Sequence, residues 1–121
     1  MEANRTYLFC PGNHPRKVEK VFVSGTDVVI LDLEDAVAIS EKPATRAVVV
    51  EALKHPRLCR GYVRVNAYDT EFCYGDIREI VGPWLDGIVL PKLESVDDLR
   101  SVDWLVGNLE RECGMAVGSI D

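Results

Sequence analysis

The stretch of residues 27–37, DVVILDLEDAV, joins an unbroken apolar run to a group of acids. The run at 28–31 is rich in Val and Ile and predicts a strand buried on both faces, because a strand with one wet face would alternate. Asp32, Glu34 and Asp35 follow within four positions. In a parallel sheet covered by helices, acids at the end of a strand lie at the edge where ligands bind. The alternative for any one of these acids is a solvated loop position.

Around this stretch, strand-like segments alternate with helical segments four times. The first strand is expected to stop at the turn Pro11-Gly12-Asn13. Such alternation predicts a parallel sheet, and right-handed crossovers then place all the strand ends on one side. The predicted strands lie at 6–10, within 27–37, at 61–66 and at 87–90.

The helical segments carry start signals and apolar stripes. Pro15 suits the first position of the first helix, Ser40 suits the cap of a helix that runs to about Lys54, and Ser95 with Asp98 predicts a cap for the fourth helix. The third helix is predicted at 76–81 and the fourth at about 96–111, followed by a tail at 115–121. The apolar residues expected to be buried are Val18, Val21 and Phe22, then Ala47, Val48, Val50, Ala52 and Leu53, and finally Leu99, Val102, Leu105, Val106 and Leu109.

Basic side chains occupy two informative positions. Arg64 lies inside the third predicted strand, on the same side as Asn66 by the period of two. Since Arg is rarely buried unpaired, Arg64 should contact a carboxylate, either from the protein or from a ligand. Arg16 and Lys20 share one face of the first helix and could hold a phosphate or similar anion, or could form a solvated face.

Composition excludes several classes of partner. The formal charge of −6 at pH 7 argues against a nucleic-acid backbone, because phosphate binding needs clustered Lys and Arg. No apolar run approaches bilayer length, and residues 1–10 lack the features of a secretory signal. The four cysteines, Cys10, Cys59, Cys73 and Cys113, lack the spacing of zinc or redox motifs. We therefore expect a cytoplasmic protein with reduced thiols and without a nucleic-acid or membrane partner.

A four-unit α/β repeat can close in two ways. One is an open, doubly wound domain such as a response-regulator receiver, which DVVILDLED followed by IVLPKLES resembles. A receiver needs acids at the end of its first strand, and here that strand ends in FCPG. The other closure is the first half of an eight-unit barrel.

Four motifs in register favour the barrel: YLFCPGN at 7–13, VVILDLEDAV at 28–37, YVRVNA at 62–67 and DGIVLPKLES at 86–95. Together they resemble the aldolase and citrate lyase family, which includes the citrate lyase beta subunit and malyl- and citramalyl-CoA lyases. The resemblance implies an α/β fold of the (β/α)8 TIM-barrel family, with residues 1–121 covering about the first four βα units. It also implies a Mg²⁺-dependent lyase that cleaves a citryl-, malyl- or citramalyl-like thioester to an acetyl thioester and a 2-oxo acid.

The resemblance also assigns roles to residues of this sequence. Glu34 and Asp35 match catalytic acids that act near the metal through water. The matches for substrate binding are Phe9 as an aromatic that contacts the substrate, Arg16 and Lys20 for a CoA-type or acyl-carrier moiety, and Arg64 for a carboxylate or acyl carbonyl. Lys92 belongs to the fourth-strand motif without an assigned role.

The resemblance leaves the metal site incomplete within this sequence. The direct ligands of Mg²⁺ are expected beyond Asp121, and residues 1–121 supply roughly half of a barrel of about 250 residues. We therefore expect little turnover by these residues alone. We also expect the protein to form a homo-oligomer. A non-catalytic half-barrel for CoA binding or assembly is the alternative function.

Overall fold

A four-stranded parallel sheet organises residues 3–121, the part of the chain that the computed structural model describes. Met1 and Glu2, on which part of the signal-sequence prediction depends, lie outside the described residues. The strands pair in chain order, β1-β2-β3-β4, and every pairing is parallel. Their bounds are Tyr7–Pro11 for β1, Val28–Asp32 for β2, Arg60–Arg64 for β3 and Gly87–Val89 for β4.

This strand order distinguishes between the two closures. A doubly wound sheet reverses its order at a switch point, whereas a barrel adds each new strand beside the previous one. The observed order contains no reversal, so the arrangement is that of consecutive units of a barrel wall. The receiver-like alternative is therefore wrong for these residues.

The four α-helices cover one face of the sheet. The main core packs Val29, Leu31 and Val63 of the strands against apolar residues of the helices. The opposite face carries a smaller cluster of Val28, Ile30 and Tyr62, which corresponds to a barrel interior. The helices are α1 Pro15–Phe22, α2 Lys42–Lys54, α3 Cys73–Ile80 and α4 Val96–Glu112, with a short 3₁₀ helix at Ile39–Glu41 before α2.

Glycine permits a close contact on the interior face. Gly87 of β4 lies opposite Tyr62 of β3. A Cβ at Gly87 would lie 2.6 Å from the Tyr62 ring, so a larger residue would displace that ring. The glycine therefore lets the aromatic side chain lie across the neighbouring strand.

The second helix differs from its prediction. The 3₁₀ turn includes Ser40, and no side chain caps α2, which begins at Lys42 instead. Ala47 and Val48 are exposed, although the apolar pattern predicted them to be buried. The buried residues of α2 are Lys42, Thr45, Val49 and Leu53. Two polar residues therefore belong to the buried stripe, and the apolar pattern alone could not include them.

The fourth helix is mostly as predicted. The amide of Asp98 donates to Ser95 Oγ at 3.1 Å, which confirms the predicted cap. Leu99, predicted to be buried, is 45% exposed. The tail ends with Asp121 bound to β4: its amide donates to the Asp86 carbonyl, and its carbonyl accepts from the Ile88 amide. This is the hydrogen-bond pattern of a parallel strand added beside β4.

Two further predictions concern membrane-spanning helices and the state of the cysteines. None of the helices within residues 3–121 combines the length and the hydrophobicity that spanning a bilayer requires. All four cysteines are free thiols.

Candidate active site

An ion pair between neighbouring strands forms the centre of the site. The register places Asp32 of β2 directly beside Arg64 of β3, at the carboxyl ends of both strands. Arg64 Nε donates to Asp32 Oδ1 at 2.9 Å, and Nη2 donates to Oδ2 at 2.8 Å. The third nitrogen, Nη1, has no hydrogen-bond partner within residues 3–121. The carboxylate that Arg64 was predicted to contact therefore includes one from the protein, with one edge of the guanidinium remaining for a ligand.

Electrostatics maintains this pair in its charged form. Burial of Asp32 raises its pKa, but the Arg64 hydrogen bond and the amides of Glu34 and Ala36 outweigh this effect and lower the pKa below 3.8. The hydrogen bond to Asp32 likewise raises the pKa of Arg64. Asp32 Oδ1 accepts from the Glu34 amide at 2.9 Å, and Oδ2 accepts from the Ala36 amide at 3.0 Å. Asp32 thus fixes both the guanidinium and the start of the acidic loop, residues 33–36.

Phe9 provides an aromatic surface beside the guanidinium. It lies on β1, in register with Ile30 of β2, and its side chain is 50% exposed. Arg64 Cζ lies 4.8 Å from the centroid of the Phe9 ring, which is cation–π geometry. The structure therefore brings the predicted substrate-binding residues Phe9 and Arg64 together.

Glu34 lies between two cations. Its carboxylate is buried, 3.7 Å from Arg64 Nε and 2.9 Å from Lys92 Nζ. Lys92 also contacts the exposed Asp35 at 3.4 Å, and these two acids raise the pKa of the Lys92 ammonium. The exposed Lys92 thus joins the two predicted catalytic acids, and Glu34 in turn contacts the guanidinium.

The backbone of Lys92 is unusual. Its φ is +52°, the only positive value at a non-glycine residue in the part of the chain that the structure describes. Such left-handed conformations cost free energy for side chains with a Cβ and cluster at functional sites. Lysine carries no sequence signal for this conformation, so the motif alone did not reveal it.

A buried polar network lies under the acidic loop and was not predicted. Lys42 Nζ donates to the carbonyls of Leu33 and Glu34 and to Asn66 Oδ1. Asn66 Nδ2 donates to the Asp76 carboxylate, which also accepts from Arg46 Nε. Asn66 therefore contacts the helices, whereas Arg64 contacts Asp32 and Phe9. The prediction that Arg64 and Asn66 share one side of the strand is wrong. Strand β3 ends at Arg64, so the alternation of side chains along a strand does not extend to Asn66.

Arg16 and Lys20 lie on α1 and are exposed. Neither forms an ion pair within residues 3–121. Their helix follows β1, so its first turn faces the same end of the sheet as the acidic loop. Their predicted contact with a CoA-type moiety remains a prediction.

Comparison with known proteins identifies the family. Residues 5–121 match HpcH/HpaI aldolase/citrate lyase. The chain belongs to this family. The match covers the whole sheet and all four helices. The family therefore agrees with the barrel-type order of the strands, β1-β2-β3-β4. The relatives that share this family carry the names of lyases.

Three relatives of the aldolase/citrate lyase family show the extent of the match. The citrate lyase subunit beta of Haemophilus influenzae is 36% identical over 121 residues, covering 98% of this chain and 42% of the relative. The L-malyl-CoA/beta-methylmalyl-CoA lyase of Cereibacter sphaeroides is 41% identical, covering 92% and 36%. The structure of protein CitE of Mycobacterium tuberculosis in complex with magnesium, acetoacetate and coenzyme A has a TM-score of 0.69 and 36% identity, covering 85% and 36%. The chain thus spans about two fifths of the length of the two lyases.

The described residues provide only part of what a magnesium site needs. Carboxylate oxygens are suitable Mg²⁺ ligands, and Glu34 and Asp35 offer them at the correct end of the sheet. However, no group of three or more His, Cys, Asp or Glu side chains within residues 3–121 is arranged to hold a metal. Lys92 occupies the position between the two acids instead. These acids therefore fit a supporting role beside a metal, and they do not form a complete site.

Proposed function

We propose that this chain provides the carboxylate-binding side of the site in a Mg²⁺-dependent carbon–carbon lyase. Its substrate is a citryl-, malyl- or citramalyl-like thioester, and its products are an acetyl thioester and a 2-oxo acid. The observation that carries the proposal is the Arg64 guanidinium, which is fixed by Asp32, stacked on Phe9 and open at Nη1. The names of the lyase relatives and the acetoacetate and coenzyme A in the CitE complex support it.

The proposed reaction makes a specific demand on Arg64. Cleavage breaks one carbon–carbon bond while the substrate hydroxyl loses its proton and becomes the carbonyl of the 2-oxo acid. The acetyl thioester keeps the electron pair of the broken bond and takes up a proton. The carboxylate of the 2-oxo acid half is present before and after this step, so a fixed guanidinium can hold it throughout.

The remaining proposed roles follow from position. Phe9 contacts the acyl group beside Arg64, and Glu34 and Asp35 act near the metal through water. Direct metal ligands come from outside residues 1–121, and Arg16 and Lys20 contact the CoA-type or acyl-carrier moiety. The protein acts in the cytoplasm as a homo-oligomer. The free thiols of all four cysteines are consistent with a reducing compartment.

Substitution of Arg64 tests the proposal directly. Arg64→Lys keeps the charge but loses the planar fork that binds Asp32 and a carboxylate together. We expect the affinity for acetoacetate in the presence of Mg²⁺ to fall at least about tenfold, roughly 1.4 kcal/mol. Isothermal titration calorimetry measures this affinity. Arg100→Lys on α4, whose side chain contacts only Asp97 among the described ion pairs, is the matched control. Equal affinity in the Arg64→Lys and Arg100→Lys proteins would remove Arg64 from the site.

A second candidate function is a non-catalytic module that binds CoA. The exposed cations of α1 and the incomplete metal group within residues 3–121 favour it. The two candidates differ in turnover: the module should bind CoA without cleaving any thioester. Robust cleavage of citryl-, malyl- or citramalyl-CoA by the 121-residue chain with Mg²⁺ would exclude the module, and would also contradict metal ligands outside these residues.

Both candidates predict a role for α1 in binding CoA. Arg16→Ala and Lys20→Ala should each weaken CoA binding by about threefold to fivefold, the effect of one solvent-accessible charge contact. Arg111→Ala near the end of α4 removes the same charge from a distant helix and should leave the affinity unchanged. The measurement is a calorimetric titration with CoA at moderate salt. If neither α1 substitution changes the affinity, CoA does not contact this helix face.

A further inference from the structure

Lys42 is a buried cation with an unusual set of partners. It is the first residue of α2, and only 7% of its surface is exposed. Its ammonium donates to the Leu33 carbonyl at 3.0 Å, the Glu34 carbonyl at 2.6 Å and Asn66 Oδ1 at 2.7 Å. All three N–H donors are therefore used, and every acceptor is uncharged. Burying an ammonium without a directly paired carboxylate is costly, so its position requires a reason.

The ammonium lies beneath a group of side chains with excess negative charge. The network under the loop contains two cations, Lys42 and Arg46, and two carboxylates, Asp76 and the exposed Glu79, so its formal charges cancel. The site above the loop contains three acids, Asp32, Glu34 and Asp35, and two cations, Arg64 and Lys92, which leaves one negative charge. Substitution of Lys42 by a neutral residue would therefore remove a positive charge from beneath an acidic loop.

The loop is held from two sides by complementary groups. The Asp32 carboxylate accepts from the amides of Glu34 and Ala36, while Lys42 donates to the carbonyls of Leu33 and Glu34. The N–H groups and the carbonyls of this short segment thus have separate anchors. Glu34 takes part in both sets, and its carboxylate is the group that lies between Arg64 and Lys92.

We propose that Lys42 is a positioning residue of the site. It holds residues 33–36 so that the Glu34 carboxylate stays between Arg64 and Lys92. Fold support alone does not need a cation here, because Val49 and Leu53 on the same face of α2 already pack into the main core. The consequence for ligand binding rests on the proposed function, whereas the order of the loop does not.

Amide hydrogen exchange tests the proposal without any ligand. In Lys42→Met, the Glu34 and Ala36 amides should exchange at least about tenfold faster relative to the Val65 amide, which donates to the Val89 carbonyl of β4. Val49→Ala is the matched control, because it removes buried contacts from the same helix face but no hydrogen bond to the loop. It should accelerate all three amides by a common factor. Lys42→Arg, which keeps a cation with N–H donors, should keep the loop amides within about threefold of the original protein.

The outcomes separate the proposal from its rivals. Equal relative protection of the loop amides in Lys42→Met and Val49→Ala would overturn it and leave Lys42 a purely structural residue. If Lys42→Met does not fold, Lys42→Gln, which keeps an N–H donor without charge, is judged by the same comparison.

A titration of the same variants with acetoacetate and Mg²⁺ tests the link to function. We expect Lys42→Met to bind acetoacetate at least about tenfold more weakly than Val49→Ala, while CoA binding stays the same. Loosened loop amides with unchanged acetoacetate affinity would support the positioning role and contradict the proposed use of the site.

Discussion

At the scale of single residues, the informative comparison is between Asp32 and its two acidic neighbours. The sequence presents Asp32, Glu34 and Asp35 as one acidic group. In the structure Asp32 is buried and fully engaged by Arg64 and two loop amides, Glu34 is buried between cations, and Asp35 is exposed. Asp32 therefore orients the guanidinium and the loop, and Asp35 is the one of the three acids that is open to solvent.

The Asp32–Arg64 pair should make stability dependent on pH. The folded-state pKa of Asp32 lies below its ordinary value of 3.8, so its contribution is fully present above that value. The contribution is lost as the pH falls from about 4 through the folded-state pKa, because the unfolded chain then binds the proton more readily. Urea unfolding between pH 7 and pH 2.5 measures this loss.

Asp32→Asn should remove much of this acid-dependent loss and lower the free energy of unfolding at pH 7 by about 3 kcal/mol, because Arg64 would lose its hydrogen-bonded carboxylate and keep only the more distant Glu34 at 3.7 Å. Asp103→Asn removes an exposed carboxylate from α4 and should change the stability by less than about 0.5 kcal/mol. If the Asp32→Asn protein loses stability in acid as steeply as the original, the pair is not a source of the pH dependence.

At the scale of elements, the strands were more predictable than the helices. The apolar run at 28–31 predicted the position of β2, because a strand buried on both faces needs apolar residues at nearly every position. The buried face of α2 was predicted from its apolar residues. Lys42 and Thr45, which are buried, were therefore missed, and Val48, which is exposed, was wrongly predicted to be buried. A buried polar residue depends on partners from other elements, such as Asn66 for Lys42, and those partners are distant in the sequence.

The residues of the candidate site likewise differ in how far the sequence predicts their contacts. Arg64 was predicted to contact a carboxylate because burial of an unpaired guanidinium is costly, and this contact is confirmed. The choice of Asp32 as its partner required the register between β2 and β3, which the sequence does not specify. Lys92 was recognised only as part of a motif, since its left-handed backbone and its contacts with Glu34 and Asp35 depend on the closed sheet.

At the scale of the whole molecule, the alternation of elements reduced the possibilities to two closures, and the unreversed strand order selected the barrel type. In a complete barrel the interior face and both outer strands are covered. Within residues 3–121, β1 pairs only with β2, and Tyr7 and Phe9 on the interior face are half exposed. An outer strand with unpaired backbone groups and exposed aromatic residues favours association with another chain.

The 121-residue chain prepared alone should therefore self-associate as its concentration rises. Tyr7→Lys places a charge on the interior face of β1 and should shift the association to at least about tenfold higher concentration, because a charged side chain opposes edge-to-edge pairing. Trp104→Lys on the outer surface of α4 removes a side chain that is 70% exposed and should leave the association unchanged. Sedimentation velocity over a concentration series measures both effects. A chain that stays monomeric throughout, or an equal response to the two substitutions, would show that β1 and the interior face do not drive association.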